Sequence, residues 1–214
     1  MTEVVRLAGL SAREREAAAG RLLAARLACF PTDTVYGVGG AARPEVVAAL
    51  VAAKGRPEDK PLQVIFGSLA ALGRALRPSP GLARALARLL PGPVTAVVPA
   101  PPGWACPPPA ADGTLGVRVP DWPAAARCLA ALPGPLVASS ANPSGAPPPA
   151  SLDEVDAGLL ARCDLALDAG RVAGLASTVV DLSWYEADGS FRLLRVGAWD
   201  EREVAARLAG DGEG

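Results

Sequence analysis

The chain predicts a single α/β domain over residues 1–214, and three observations carry that reading. Helix and strand signals are interleaved along the sequence instead of falling in blocks, which is the pattern of a sheet with helices packed on it. Half of the 214 residues are hydrophobic, enough to fill one substantial core. Several of the later strand-like segments follow one another without a helix between them, so part of the sheet is expected to pair antiparallel. No internal repeat is visible.

Ser11-Ala12-Arg13-Glu14 has the spacing of a capping box, and the alanine-rich amphipathic stretch behind it reads as a scaffold helix to about Leu27. The apolar segment 27–30 reads as a strand that delivers Pro31-Thr32-Asp33-Thr34-Val35-Tyr36-Gly37. Pro44, suited to a first helical turn, then opens a helix through Lys54. Residues 62–66 read as a short strand, 68–76 and 79–90 as helices, and 94–99 and 114–119 as strands flanking a proline-rich loop. Further strands are expected at 136–139, 165–167, 178–182 and 192–196. Helices should start at Asp121, Ser151 and Asp200, all good N-cap residues.

Composition excludes several classes of function. Lys+Arg 21 against Asp+Glu 22 gives a net charge of −1, so no global field draws the chain to nucleic acid or anionic membrane, and any anion site must be local. The absence of histidine removes the commonest general base and metal ligand, which argues against a serine–histidine triad and a zinc site. Cys29, Cys106, Cys128 and Cys163 are far apart, form no Cys-x-x-Cys pair and follow no signal peptide, so reduced, mostly buried thiols in a cytoplasmic protein are expected. Residues 89–111 and 128–152 are uncharged and long enough to span a bilayer, but their repeated prolines argue against a membrane helix.

Several local constellations could carry chemistry. Gly37-Val38-Gly39-Gly40-Ala41-Ala42 matches a dinucleotide-binding fingerprint; the plainer reading is that these glycines let a turn pack closely. Lys54, Arg56 and Lys60 place three cations in seven residues stiffened by Pro57 and Pro61, either a solvated loop or a polyphosphate site. Strand periodicity puts Thr114, Gly116 and Arg118 on one face. Arg118 there needs a partner, which is either a nearby carboxylate of the protein or the carboxylate of a substrate. The turn from Ser139 to Gly145 offers hydroxyls and N–H groups, and Ser177-Thr178 and Arg195 are polar groups beside strands.

Read together, Pro31–Gly37, Lys54-Gly55-Arg56-Pro57 with Lys60-Pro61, Leu90-Pro91-Gly92-Pro93, Val117–Asp121, Ser140–Gly145, Ser177–Asp181 and Leu194–Gly197 resemble the YrdC-like family of threonylcarbamoyl-AMP synthases. The seven motifs occur in family order and span nearly the whole chain. The resemblance implies a twisted mixed sheet with flanking helices and a concave substrate face that holds ATP beside L-threonine. By matching position it places Thr34, Arg118, the backbone at Ala138 and Ser177 on L-threonine. It places Arg56, Lys60, Thr114, Ser140, the Pro148 region and Arg195 on ATP, with Lys54 as a further phosphate ligand beside Arg56 and Lys60 in catalysis. Some members carry a histidine five residues after the position of Lys60, where this chain has Ile65.

The implied chemistry needs no histidine. Threonine and bicarbonate give N-carboxythreonine, whose carboxylate attacks the α-phosphate of ATP and expels pyrophosphate. The protein aligns the reactants and neutralises charge. Mg2+ would accompany ATP, with no protein ligand identifiable. The product would pass to tRNA threonylcarbamoyl transferase proteins for modification next to the anticodon, with a weak tRNA contact and no membrane. Two other readings stand beside this one: an RNA-binding module, disfavoured by the neutral charge and 4% aromatic content, and an enzyme that carbamoylates another acceptor.

Overall fold

The computed structural model describes residues 1–55, 61–143 and 145–210, and the strands among them join in one ten-stranded mixed sheet. In chain order the strands are β1 (Glu3–Arg6), β2 (Ala28–Pro31), β3 (Tyr36–Ala41), β4 (Gln63–Ile65), β5 (Val94–Pro99), β6 (Thr114–Arg118), β7 (Leu136–Ser140), β8 (Leu165–Asp168), β9 (Thr178–Asp181) and β10 (Arg192–Arg195). Their spatial order is β1-β8-β2-β3-β7-β4-β6-β5-β9-β10. β8 runs parallel to β1 and β2, β4 to β6, and β5 to β9. The pairs β2–β3, β3–β7, β7–β4, β6–β5 and β9–β10 are antiparallel.

The helices are α1 (Ala12–Ala24), α2 (Pro44–Lys54), α3 (Leu69–Leu76), α4 (Pro80–Leu89), α5 (Ala157–Leu160), α6 (Tyr185–Asp188) and α7 (Glu201–Ala209). Of the longer ones, all but α2 begin where a side chain can satisfy the first orphan N–H groups. The capping box of Ser11 and Glu14 is formed, and Ser68, Ser79 and Asp200 accept from the N–H groups of Ala71, Leu82 and Glu203. α2 starts on Pro44 and stops at Gly55, whose φ of 55° is left-handed.

Period-two alternation divides the sheet into faces. On β5, Val94, Ala96 and Val98 face a core shared with α3, α4 and α7; Leu115 and Val117 of β6 and Val180 of β9 do the same. The opposite side chains of these strands, Thr95 and Val97, Thr114, Gly116 and Arg118, Val179 and Asp181, line an open cavity instead. The other half of the sheet is covered on both faces. Ala28 and Phe30 of β2 pack with α1, while Cys29 packs with Val46 and Leu50 of α2. Helices thus leave one face bare on one half of the sheet, and that face is the site.

Several expectations change. The glycine fingerprint is neither a dinucleotide turn nor a turn at all: residues 36–41 form β3, inside the sheet. Its glycines serve close strand approach, since a Cβ at Gly39 would lie 1.9 Å from the carbonyl oxygen of Val137 on β7. β1 and the one-turn α6 carry no clear periodicity and were not expected. The segment after Asp121 does not become helical until Ala124, and then as a 3-10 helix to Ala131, because Pro123 holds the residue before it out of helical backbone. Ser151 precedes only a 3-10 turn, Leu152–Glu154, and Asp156 caps the short α5 instead. α1 ends at Ala24, three residues early. All four thiols are free; Cys29 and Cys163 are buried, and Cys106 and Cys128 are half-buried. Burial pushes the Cys163 thiol up to about 12, so it stays protonated and inert. No described helix is long and apolar enough to cross a membrane.

Candidate active site

The bare face of β6, β5 and β9 forms the floor of a cavity of about 590 Å³, closed at one side by the end of β7 and by Asn142, Pro143, Gly145, Ala146 and Pro148 beyond it. Eight of the residues expected to carry function lie on its walls: Lys54, Thr114, Arg118, Ala138, Ser140, Pro148, Ser177 and Arg195. They come from dispersed segments. Arg56 and Lys60 lie outside the described residues. Thr34 does not reach the wall. It is 1% exposed, and its hydroxyl lies 3.0 Å from that of Thr32, while its neighbour Val35 faces the cavity.

The Thr32–Val35 turn explains that placement. Thr32 Oγ1 donates to the carbonyl of Val35 at 2.7 Å and accepts from the N–H groups of Thr34 and Val35. The threonines are consumed in shaping the turn, which projects Asp33 towards Arg118.

Arg118 is 3% exposed and ion-paired with Asp33. Both alternatives for its partner are therefore open together, because the pair leaves Nε buried without a hydrogen-bond acceptor among the described residues. Burial outweighs the neighbouring guanidinium and holds the Asp33 carboxyl above the ordinary aspartate range. Arg118 stays charged regardless, as guanidinium does in proteins. A buried charge with an unfilled donor is costly, about 1–3 kcal/mol for the orphan group alone, and an incoming carboxylate would relieve it.

Arg195 chelates the Ser177 carbonyl through Nη2 (2.8 Å) and Nε (3.2 Å), and Nη2 also donates to Ser177 Oγ at 3.1 Å. Ser177 in turn lies 2.8 Å from Thr95 Oγ1, which accepts from the amide of Gln63. Lys54, at the last turn of α2, donates to the carbonyl of Ser140 at 2.5 Å, pinning the end of β7 to the helix. Thr114 is fixed by Asp112, whose carboxylate accepts from its N–H and hydroxyl.

Sequence reasoning missed Gln63, Thr95, Asp112, Asp181 and Arg192, all on the cavity walls. Thr95 and Asp181 could have been found by carrying the strand period of Arg118 across to β5 and β9. Asp112 sits in a loop and offered no such signal. The described walls carry four cations (Lys54, Arg118, Arg192, Arg195) against two carboxylates (Asp112, Asp181), with Asp33 paired to Arg118 behind them, so a chain of net charge −1 keeps an excess of cations here. No described cluster of three or more His, Cys, Asp or Glu could cage a metal ion.

The Sua5/YciO/YrdC family model, described as telomere recombination, matches residues 21–197. A Mycobacterium tuberculosis relative is 37% identical over 216 residues, covering 99% of this chain and 97% of its own. The threonylcarbamoyl-AMP synthase of Halorhodospira halophila is 40% identical over 163 residues, covering 74% of this chain and 83% of its own. The crystal structure of Pyrococcus abyssi Sua5 complexed with L-threonine superposes with a TM-score of 0.77 at 31% identity, covering 98% of this chain and 61% of that one. This chain therefore spans less than two thirds of the archaeal protein.

Proposed function

Because the chain belongs to the Sua5/YciO/YrdC family, we propose that it synthesises L-threonylcarbamoyl-AMP from L-threonine, bicarbonate and ATP, acting in the cytoplasm on the path to threonylcarbamoyladenosine in tRNA. The observation that carries this reading is the convergence on one cavity of eight candidate residues dispersed along the sequence, five of them in the quoted motifs, with an excess of cations on its wall. The likeness to the threonine complex supports an amino-acid half of the site. Residues 1–214 act in this reading as one domain.

Arg118 would take the threonine carboxylate through the donor that Asp33 leaves unfilled, with the Ala138 backbone and Ser177 completing that half. Thr34 would act there through the turn it stabilises. Thr114, Ser140, the Pro148 segment and Arg195 would hold ATP, joined by Lys54 and by Arg56 and Lys60. The amine of threonine adds to bicarbonate with loss of water, giving N-carboxythreonine. Its carboxylate oxygen then bonds to the α-phosphorus as the bond to pyrophosphate breaks. The chain holds these groups in line and offsets charge on the leaving group, which requires no acid–base relay. Mg2+ suits the phosphates as a hard cation that keeps several waters, and the carboxylates on the described wall are Asp112 and Asp181. Bound, it would neutralise phosphate charge. The product would go on to tRNA threonylcarbamoyl transferase proteins.

The test is pyrophosphate release by the purified protein with one component withheld at a time. Release should require threonine, bicarbonate, ATP and a divalent cation together; equal release without bicarbonate would contradict the proposed nucleophile.

A further inference from the structure

The cavity wall holds a line of side chains whose hydrogen-bond polarity can be counted. At one end the amide nitrogen of Gln63 on β4 donates to Thr95 Oγ1. At the other, Arg195 Nη2 donates to Ser177 Oγ at 3.1 Å. The two hydroxyls between them lie 2.8 Å apart, and their residues are 6% and 4% exposed. Both flanking groups are therefore donors. The hydroxyl pair has two protons, and the bond between them uses one, whichever way it points. The second has no acceptor among the described residues. Since Thr95 and Ser177 both line the cavity, that proton can only be directed into it.

We propose that Thr95 and Ser177 present a hydrogen-bond donor at this point of the cavity because Gln63 donates to Thr95 and offers it no acceptor, so that Gln63 and Thr95 are positioning residues selecting an oxygen acceptor of the amino-acid substrate and rejecting a donor such as an ammonium group. The inference rests on reading the cavity as an amino-acid and nucleotide site. Arg195 beside the pair acts in the same sense, because a cation repels an ammonium group and attracts an oxygen acceptor.

Gln63→Glu tests it. An ionised carboxylate only accepts, so Thr95 would turn its proton to the new side chain, Ser177 would turn its own to Thr95, and none would be left for the ligand. Threonine affinity, measured by calorimetry on the full chain, should fall by roughly ten- to a hundredfold at neutral pH. It should recover as pH is lowered, because the protonated glutamic acid can donate again. The charged groups around the cavity, Asp33, Asp112, Asp181, Lys54, Arg118, Arg192 and Arg195, are present in both proteins, so the ratio of the two affinities isolates the new carboxyl. Gln63→Leu removes a donor without adding an acceptor, leaves the surplus proton in place, and should cost no more than about threefold. An unchanged affinity in Gln63→Glu, a loss that does not recover in acid, or a loss in Gln63→Leu of tenfold or more would overturn the proposal. If the glutamate variant does not fold, the wild-type protein decides through the ligand: a threonine analogue with an ammonium group in place of the hydroxyl should bind at least roughly tenfold more weakly than threonine, and equal affinity would overturn the proposal. A wild-type protein that binds no threonine would instead overturn the functional reading itself.

Discussion

Arg118 carries a permanent charge, is almost wholly buried and has one ion-pair partner among the described residues, Asp33, so it is the residue on which the amino-acid half of the site depends. Lysine at this position would keep the charge and lose the planar fork. Arg118→Lys should therefore weaken threonine binding by about 2–5 kcal/mol while leaving ATP binding, measured alone by calorimetry, nearly unchanged. Weakening of both ligands together with a lowered melting temperature would mean that Arg118 only props the fold. Asp33 makes a separate prediction through pH. Its carboxyl is held above the ordinary aspartate range by burial, so the folded state binds this proton more tightly than the unfolded state. The stability it contributes is fully present below the unfolded value and is lost as pH rises through the folded one. Denaturant midpoints of wild type against Asp33→Asn should diverge in that window, the wild type losing ground as pH rises from the ordinary aspartate value and holding constant above the raised one. A constant difference throughout would show that Asp33 does not titrate there.

At the scale of elements, β3 shows where pattern reading stops. Its sequence, Tyr36-Gly37-Val38-Gly39-Gly40-Ala41, has three glycines in six residues, and strand propensity reads that as a turn. The requirement that puts glycine there is the closeness of β7, visible only once the strands pair. Gly39→Ala should destabilise the protein by about 1–3 kcal/mol or more, because its Cβ meets backbone that cannot move aside. Gly40→Ala should cost less, since its Cβ would meet the Val46 side chain at 3.2 Å. Equal urea midpoints for the two would contradict this account of β3. Other elements were open to reading. The caps at Ser11 and Asp200 announced their helices because the chemistry is local, and the helices read over 68–76 and 79–90 are capped in the same way by Ser68 and Ser79. The alternation of Thr114, Gly116 and Arg118 announced the cavity face of β6, and the partner of Arg118 lay among the carboxylates anticipated for it. The delayed helix after Asp121 was also legible, had Pro123 been weighed above the cap. Gln63 and Asp112 were not, because their roles depend on Thr95 and Thr114, the groups they meet across or beside the sheet.

For the whole molecule, the sheet separates two tasks. One half is packed on both faces and supplies stability, including the core of Phe30, Leu136 and Leu167 against α1. The other half keeps helices on a single face, so its opposite surface can gather Arg118, Ser177 and Arg195 from strands and loops far apart in sequence. Neighbouring strands fix those groups relative to one another, which is what a reaction driven by positioning and electrostatics demands. The proposed function turns on one step, attack on ATP in this cavity by the carboxylate formed from bicarbonate on threonine. It is tested most directly by supplying isotopically labelled bicarbonate with threonine and ATP and analysing the AMP-linked product by mass spectrometry. The label should appear in threonylcarbamoyl-AMP, in the carbon between the threonine nitrogen and the phosphate. An unlabelled threonyl adenylate, formed equally well without bicarbonate, would contradict it.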